Sequence, residues 1–284
     1  MMTVAPMVAL VTVTYRSADA LEAMLASVAR ASDAPVLSFV ADNLPGTDDA
    51  KDVAERAGAD YRAMPGNLGY GGAVNEVVRG IPDGVEWLLV TNPDVVFDEG
   101  SIDEMVAIAN ADSRIGAVGP LIRNEDGTAY PSARPVPGLG VGTGHAVFGP
   151  VWPANPWTRR YHAANAVDHE RDAGWLSGAC LLVRRSAFDD IGGFDSEFFM
   201  YFEDVDFGAR LGRAGWRNRF TPTASVVHTG GHSTSAESSA MIAAHHRSAQ
   251  RFIAKTYPGL RWWPVRASLA LGLRLRERLA RRLH

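Results

Sequence analysis

Residues Val8–Thr14 (Val-Ala-Leu-Val-Thr-Val-Thr) are nearly continuously apolar and rich in β-branched side chains, the pattern of a parallel strand covered on both faces. The chain turns at Tyr15–Ser17, and Asp19 stands where it caps a helix whose apolar positions Leu21, Leu25 and Val28 recur at helical spacing. The alternation continues. A second strand over Pro35–Ala41 stops at Asp42-Asn43, a charged helix covers 48–58, and a short strand covers Tyr61–Met64. Gly66–Gly72 is a loop opening onto a helix through Arg79, and the strand Glu86–Thr91 stops at Asn92-Pro93-Asp94. Strands alternating with helices predict an α/β fold, an open and mostly parallel sheet with helices on both faces. Ligands of such sheets bind at the carboxyl ends of the strands, where Asp42, Asn43, Asn92 and Asp94 fall.

The second half is less regular. Trp175–Arg184 reads as a strand, 203–214 as a helix and Ser225–His228 as a last short strand. Residues 131–160 hold many prolines and glycines with Phe148, Trp152 and Trp157 interleaved, and so long a loop is usually functional or mobile. After Trp262-Trp263-Pro264, the residues Val265, Leu269, Leu273, Leu279 and Leu283 share a helical face, with Arg274, Arg278, Arg281 and Arg282 mostly opposite. This basic amphipathic stretch reads either as an anchor on anionic lipid or as a helix packed on the domain or a partner.

Composition narrows the classes. The 284 residues are 46% hydrophobic and 21% charged, which excludes a disordered chain. The single cysteine, Cys180, rules out an intrachain disulfide, and no apolar run is long enough to span a bilayer. Net charge is −4, yet seven arginines and one glutamate put +6 on residues 261–284 and leave −10 on the rest. A nucleic-acid partner is therefore not expected.

The chemistry concentrates in residues 194–216. There Phe198, Phe199, Tyr201 and Phe202 run into Glu203, Asp204 and Asp206. Apolar ring surface beside a carboxylate raises its pKa, which makes a general base useful near neutral pH. The plainer reading is helix capping, together with an Asp206–Arg210 surface pair. Asn92-Pro93-Asp94 offers hard oxygen ligands for Mg²⁺ or Mn²⁺, or is simply an Asn-Pro turn. His228, at a strand end, is a metal ligand or a structural histidine. Gly66–Gly72 does not complete the dinucleotide fingerprint, because Val74 stands where a glycine is needed.

The order of these motifs resembles the inverting glycosyltransferases of family 2, which have the Rossmann-like GT-A fold. It runs through Thr12–Tyr15, Asp42-Asn43, Asn67–Asn75, Asn92-Pro93-Asp94, Trp175–Cys180, Gly193–Asp195, Glu203–Asp206 and His228. Within the family the chain is most similar to bacterial rhamnosyltransferases that move L-rhamnose from dTDP-rhamnose to polyprenyl-diphosphate-linked N-acetylglucosamine in actinobacterial cell-wall assembly. The resemblance implies Asp204 as general base and a divalent cation, Mg²⁺ or Mn²⁺, held by Asp94, Asn92 and His228. Asn92 departs from the aspartate usual there, which shifts the metal's charge balance onto Asp94. The donor nucleotide is expected at Thr14, Tyr15, Arg16, Asp42, Asn43, Asn67, Gly69, Tyr70 and Gly71, with Asp42 on the base. Trp175, Ser177, Gly178 and Glu203 are expected near donor sugar and acceptor.

The organisation implied is a GT-A domain over 1–235 and a helical, membrane-proximal extension over 236–284. The nucleotide-sugar half covers about 1–125, and the acceptor half about 126–235 with a long loop at 131–172. A lipid-linked acceptor places the enzyme on the cytoplasmic face of the membrane, held by the basic tail, and a homo-oligomer is the remaining partner considered. Three rivals stay open at this point: a UDP-sugar donor, a nucleotidyltransferase, and a non-catalytic nucleotide-sugar-binding relative.

Overall fold

The computed structural model describes residues 7–138, 152, 167–230, 239–264 and 266–268. Most of the loop expected at 131–172 and most of the basic tail lie outside these residues. The first half follows the expected alternation. Strand β1 (Met7–Thr14), helix α1 (Ala18–Ala31), β2 (Val36–Asp42), α2 (Ala50–Arg56), β3 (Asp60–Ala63), α3 (Gly69–Val78) and β4 (Val85–Thr91) succeed one another. They form a parallel block in the order β3-β2-β1-β4. The order reverses at β1, so a crevice opens at the carboxyl ends of β1 and β4.

Alternate residues of the apolar runs feed two cores. Val8, Leu10, Trp87 and Leu89 face α1 and α2, while Ala9, Val11, Leu88 and Val90 face α3. Double coverage is what the unbroken hydrophobicity of β1 and β4 requires. Asp19 lies in the first turn of α1 but does not cap it; the Ala18 amide donates instead to Asp48 Oδ2 (3.1 Å).

Beyond β4 come β5 (Val95–Phe97), α4 (Ser101–Ala111), β6 (Ile115–Asn124), β7 (Ala129–Tyr130), β8 (Ala133–Arg134), β9 (Arg171–Ala173), β10 (Trp175–Leu176) and β11 (Cys180–Arg184). Helices α5 (Arg185–Asp190) and α6 (Glu203–Arg213), strand β12 (Arg217–His228) and helix α7 (Ser239–Thr256) follow. The sheet continues β4-β11-β6-β12-β5, with β11 antiparallel to both its neighbours and β12 parallel to β6. The expected single strand over Trp175–Arg184 is two. β10 pairs with β8, β11 pairs with β4 and β6, and Ser177-Gly178-Ala179 form the step between them. Likewise Ser225–His228 is the end of the long β12, which shifts register between Thr221 and Ser225.

Candidate active site

A cavity of about 640 Å³ lies at the carboxyl ends of β1, β4 and β12 and the start of α6. Beside β1 and α3 it is lined by Tyr15, Asn43, Asn67, Gly69 and Tyr70. Asn43, buried just past β2, holds the loop before α3: its Nδ2 donates to the Gly69 carbonyl (3.1 Å), and its Oδ1 accepts from the Leu68 amide (3.3 Å). Gly69 has φ +71, and a Cβ there would lie 2.2 Å from the Phe199 carbonyl oxygen. The residue must therefore be glycine on two counts. Gly71 serves packing, since its Cβ would meet the Phe194 side chain at 2.7 Å. The glycines thus let α3 approach residues 194–199, and the Tyr70 amide donates to the Phe199 carbonyl (3.2 Å).

Thr14, Arg16, Asp42 and Gly71 do not line the cavity. Asp42 is buried beside Thr14 in the β1–β2 register, and both its oxygens are engaged, Oδ1 by the Leu44 amide (2.9 Å) and Oδ2 by the Tyr61 hydroxyl (2.7 Å). Trp175 also falls outside. It packs with Phe198, Val205 and Phe252, and its indole N–H donates to the Pro135 carbonyl (3.1 Å).

The strand ends bring Asn92, Asp94 and His228 together. β12 reaches back along the sheet so that His228 Nε2 lies 3.0 Å from Asp94 Oδ1, and Asn92 Nδ2 lies 3.4 Å from the same nitrogen. The Thr229 amide donates to the Asp94 carbonyl (2.9 Å), fixing the two ends against each other. The carboxylate and imidazole are donors suited to a divalent cation, and the Asn92 amide would join them when turned to offer its Oδ1.

Opposite them Glu203 and Asp204 open α6, and both line the cavity with Ser177 and Gly178. The Asp204 oxygens accept from two amides, Gly178 N–H (3.1 Å) and Val205 N–H (2.8 Å). The step between β10 and β11 is what turns the Gly178 amide toward the carboxylate. The Gly178 carbonyl accepts from the Tyr70 hydroxyl (2.7 Å), so one residue touches both sides of the cavity. Glu203 is buried, and its Oε2 has no hydrogen-bond partner. Burial pushes Glu203 up to about 8, and repulsion from Asp204 adds to it. Burial also raises Asp204 above the ordinary aspartate range, while the two amides and the charge of Arg134 pull the other way. Two adjacent carboxyls shielded from water do not both ionise readily. The amide donors favour the charged form at Asp204, while burial without a partner for Oε2 favours the neutral form at Glu203.

Asp206 is set apart from this chemistry. It is buried, with Arg210 Nε 2.6 Å from Oδ2 and Lys255 Nζ 2.7 Å from Oδ1. The aromatic block is divided too: Phe198 is fully buried, Phe199 is exposed, and of the four rings only that of Tyr201 lines the cavity. Tyr201 and Phe202 both lie in the left-handed region (φ 65 and 64), a strain on the order of 1–3 kcal/mol each for non-glycine residues. Tyr130 and Met200 also line the cavity. Nothing in their local sequence marks either of them.

Residues 5–250 match the family model described as glycosyltransferase like family 2. The chain belongs to glycosyltransferase family 2. This glycosyltransferase is 46% identical, over 95% of its length and 91% of the relative's, to N-acetylglucosaminyl-diphospho-decaprenol L-rhamnosyltransferase of Mycobacterium tuberculosis. A shorter match, 36% identical over 28% of this chain and 31% of the relative, is to rhamnosyltransferase WbbL of Escherichia coli. Its fold is that of the mannosyltransferase PcManGT from Pyrobaculum calidifontis, solved with GDP-Man and Mn²⁺ (TM-score 0.62, 16% identity, 97% of this chain and 72% of that one). The same holds for GalNAc-T7, solved with UDP, GalNAc and Mn²⁺ (TM-score 0.58, 15% identity, 79% of this chain and 43% of that one). The glycosyltransferase has no helix among its described residues long and apolar enough to cross a membrane.

Proposed function

We propose that this glycosyltransferase transfers L-rhamnose from dTDP-L-rhamnose, with inversion, to a hydroxyl of N-acetylglucosamine carried on a polyprenyl diphosphate. The sugar and the acceptor rest on the 46% identity to the mycobacterial rhamnosyltransferase over nearly the whole of both chains. The observation that carries the mechanism is the placement of Asp204 across one cavity from the Asp94–His228 pair. Tyr15, Asn67 and Tyr70 hold the nucleoside side, and Ser177, Gly178 and Glu203 the sugars.

Asp204 accepts the proton of the acceptor hydroxyl as its oxygen bonds to the anomeric carbon. The bond from that carbon to the diphosphate breaks with its electron pair, and the nucleoside diphosphate leaves. A raised pKa suits Asp204 to this, since a base is most effective when its pKa lies near the working pH. Protonated Glu203 offers an O–H donor to a sugar hydroxyl in a water-poor wall. Asp94, His228 and Asn92 would hold Mg²⁺ or Mn²⁺, which when bound neutralises charge gathering on the diphosphate. A single displacement needs one carboxylate at the reacting carbon, which is the basis for expecting inversion.

Exposed Leu260 and Trp263, just ahead of the basic tail, support a working position against the cytoplasmic face of the membrane, where a prenyl-linked acceptor resides. The test is nucleoside-diphosphate release from dTDP-rhamnose with a prenyl-diphosphate-linked N-acetylglucosamine acceptor. Wild type should turn over only with Mg²⁺ or Mn²⁺ added, and Asp204→Asn should lose roughly 10²–10⁴-fold in kcat while still binding donor. Near-normal turnover by that variant would remove Asp204 from its role. Faster release of UDP from UDP-sugars would reassign the donor, and pyrophosphate as product would reassign the reaction.

A further inference from the structure

Helix α7 lies outside the cavity lining, yet one of its faces holds the segment on either side of Glu203 and Asp204. Positions 245, 248, 252 and 255 recur at helical spacing. The His245 ring meets the rings of Tyr201 and Phe202 edge-on, both at 5.4 Å. Ser248 Oγ donates to the Met200 carbonyl (2.7 Å). Phe252 is buried, packs 5.6 Å from the Phe202 ring, and shares a cluster with Phe198, Val205 and Trp175. Lys255 Nζ bridges Asp195 Oδ2 and Asp206 Oδ1, both at 2.7 Å, and lies over the Phe198 ring.

These contacts bracket the left-handed pair Tyr201–Phe202, which immediately precedes Glu203 and Asp204. A backbone in that region persists only where its surroundings hold it. On the other side the holding contact is the Tyr70 amide on the Phe199 carbonyl (3.2 Å). On this side it is α7.

We propose that Ser248 and Lys255 of α7 are positioning residues for catalysis: by holding the strained Met200–Phe202 turn and the first turn of α6, they place the Asp204 carboxylate for proton transfer. The inference rests on the reading of Asp204 as base and extends it to a helix that touches no substrate. A carboxylate displaced by even 1 Å is enough to cost on the order of 10²-fold in rate. Affinity for the nucleotide, held by the opposite wall, should scarcely change.

The experiment measures kcat and KM for dTDP-rhamnose with the lipid-linked acceptor in Ser248→Ala, Lys255→Met and Lys255→Arg, each alone and combined with Asp204→Asn. Ser248→Ala loses a single hydrogen bond, so it reports even if Lys255→Met folds poorly. The expected result is kcat lowered roughly 10- to 100-fold by Ser248→Ala or Lys255→Met, with donor KM within about twofold of wild type. Lys255→Arg should recover much of the loss. In the Asp204→Asn background neither substitution should cost anything more, because both act through that carboxylate. Losses that multiply in that background, or unchanged kcat in folded single variants beside an inactive Asp204→Asn, would overturn the positioning role and leave the base assignment standing. Retained turnover in Asp204→Asn would overturn both.

Discussion

Glu203 and Asp204 are chain neighbours with unequal surroundings: one carboxylate collects two amide donors, while the other has an oxygen buried without a partner. The difference has a consequence for stability. Glu203 titrates near pH 4.5 when unfolded and is pushed up to about 8 in the fold. Between those values the folded protein binds the extra proton, so this group's contribution is fully present below the unfolded value and is lost as pH rises through about 8. Glu203→Gln stays neutral throughout. Its melting temperature should therefore fall less than that of wild type between about pH 6 and about pH 9, and parallel profiles would mean that Glu203 is not held protonated. At this scale the sequence was readable where a residue type is chemically scarce. Asp204, Asp94 and His228 stood out, and the structure brings all three to one cavity. Trp175 stood out as well, but its ring was needed under α6. Tyr130 and Met200 were silent because their roles depend on contacts that no local spacing encodes.

Helix α6 keeps its seat on the sheet through small, specific contacts. Asn218 Nδ2 on β12 reaches the carbonyls of Gly174 (3.1 Å) and Gly208 (3.0 Å), and a Cβ on Gly208 would lie 2.6 Å from the Trp175 Cα. Asn218→Ala removes the donor from the buried Gly208 carbonyl and the part-buried Gly174 carbonyl, and should cost about 1–3 kcal/mol in chemical denaturation; a change within error would show that α6 is seated by its apolar face alone. The elements most legible in the sequence were those with unbroken periodicity, β1, β4, α1 and α6. β6 went unread because Gly116, Gly119 and Pro120 interrupt it. Pro120 lies beyond the β11 pairs at Ala117 and Val118, and in the β12 ladder it stands opposite Thr221, where the register shifts. The break at Ser177–Ala179 was hidden for the opposite reason. Its small residues continue an apolar run, and only the change of partner from β8 to β4 reveals the step.

Across the whole molecule one sheet joins the parallel block to the strands that carry His228, with β11 bonded to β4 on one edge and β6 on the other. The walls of the cavity are therefore borne by one continuous sheet. Removing residues 265–284 should leave kcat on a water-soluble acceptor analogue unchanged while reducing co-sedimentation with anionic vesicles several-fold. Equal sedimentation would assign the tail to protein contacts. The general α/β plan and the cavity's place at the strand ends were legible because a short rule governs them; how α7 grips residues 195–206 was not, because it joins segments distant in the chain. That distance reaches into the life of the molecule before it is complete. Asp94 and His228 are 134 positions apart, with Asp204 between them and α7 beyond. A polypeptide still emerging from the ribosome carries the segments beside β1 and β4 before it has Asp204 or His228 to complete the cavity. With the roles proposed for Asp204 and His228, a growing chain would be unable to turn over an activated sugar until synthesis had passed the last strand.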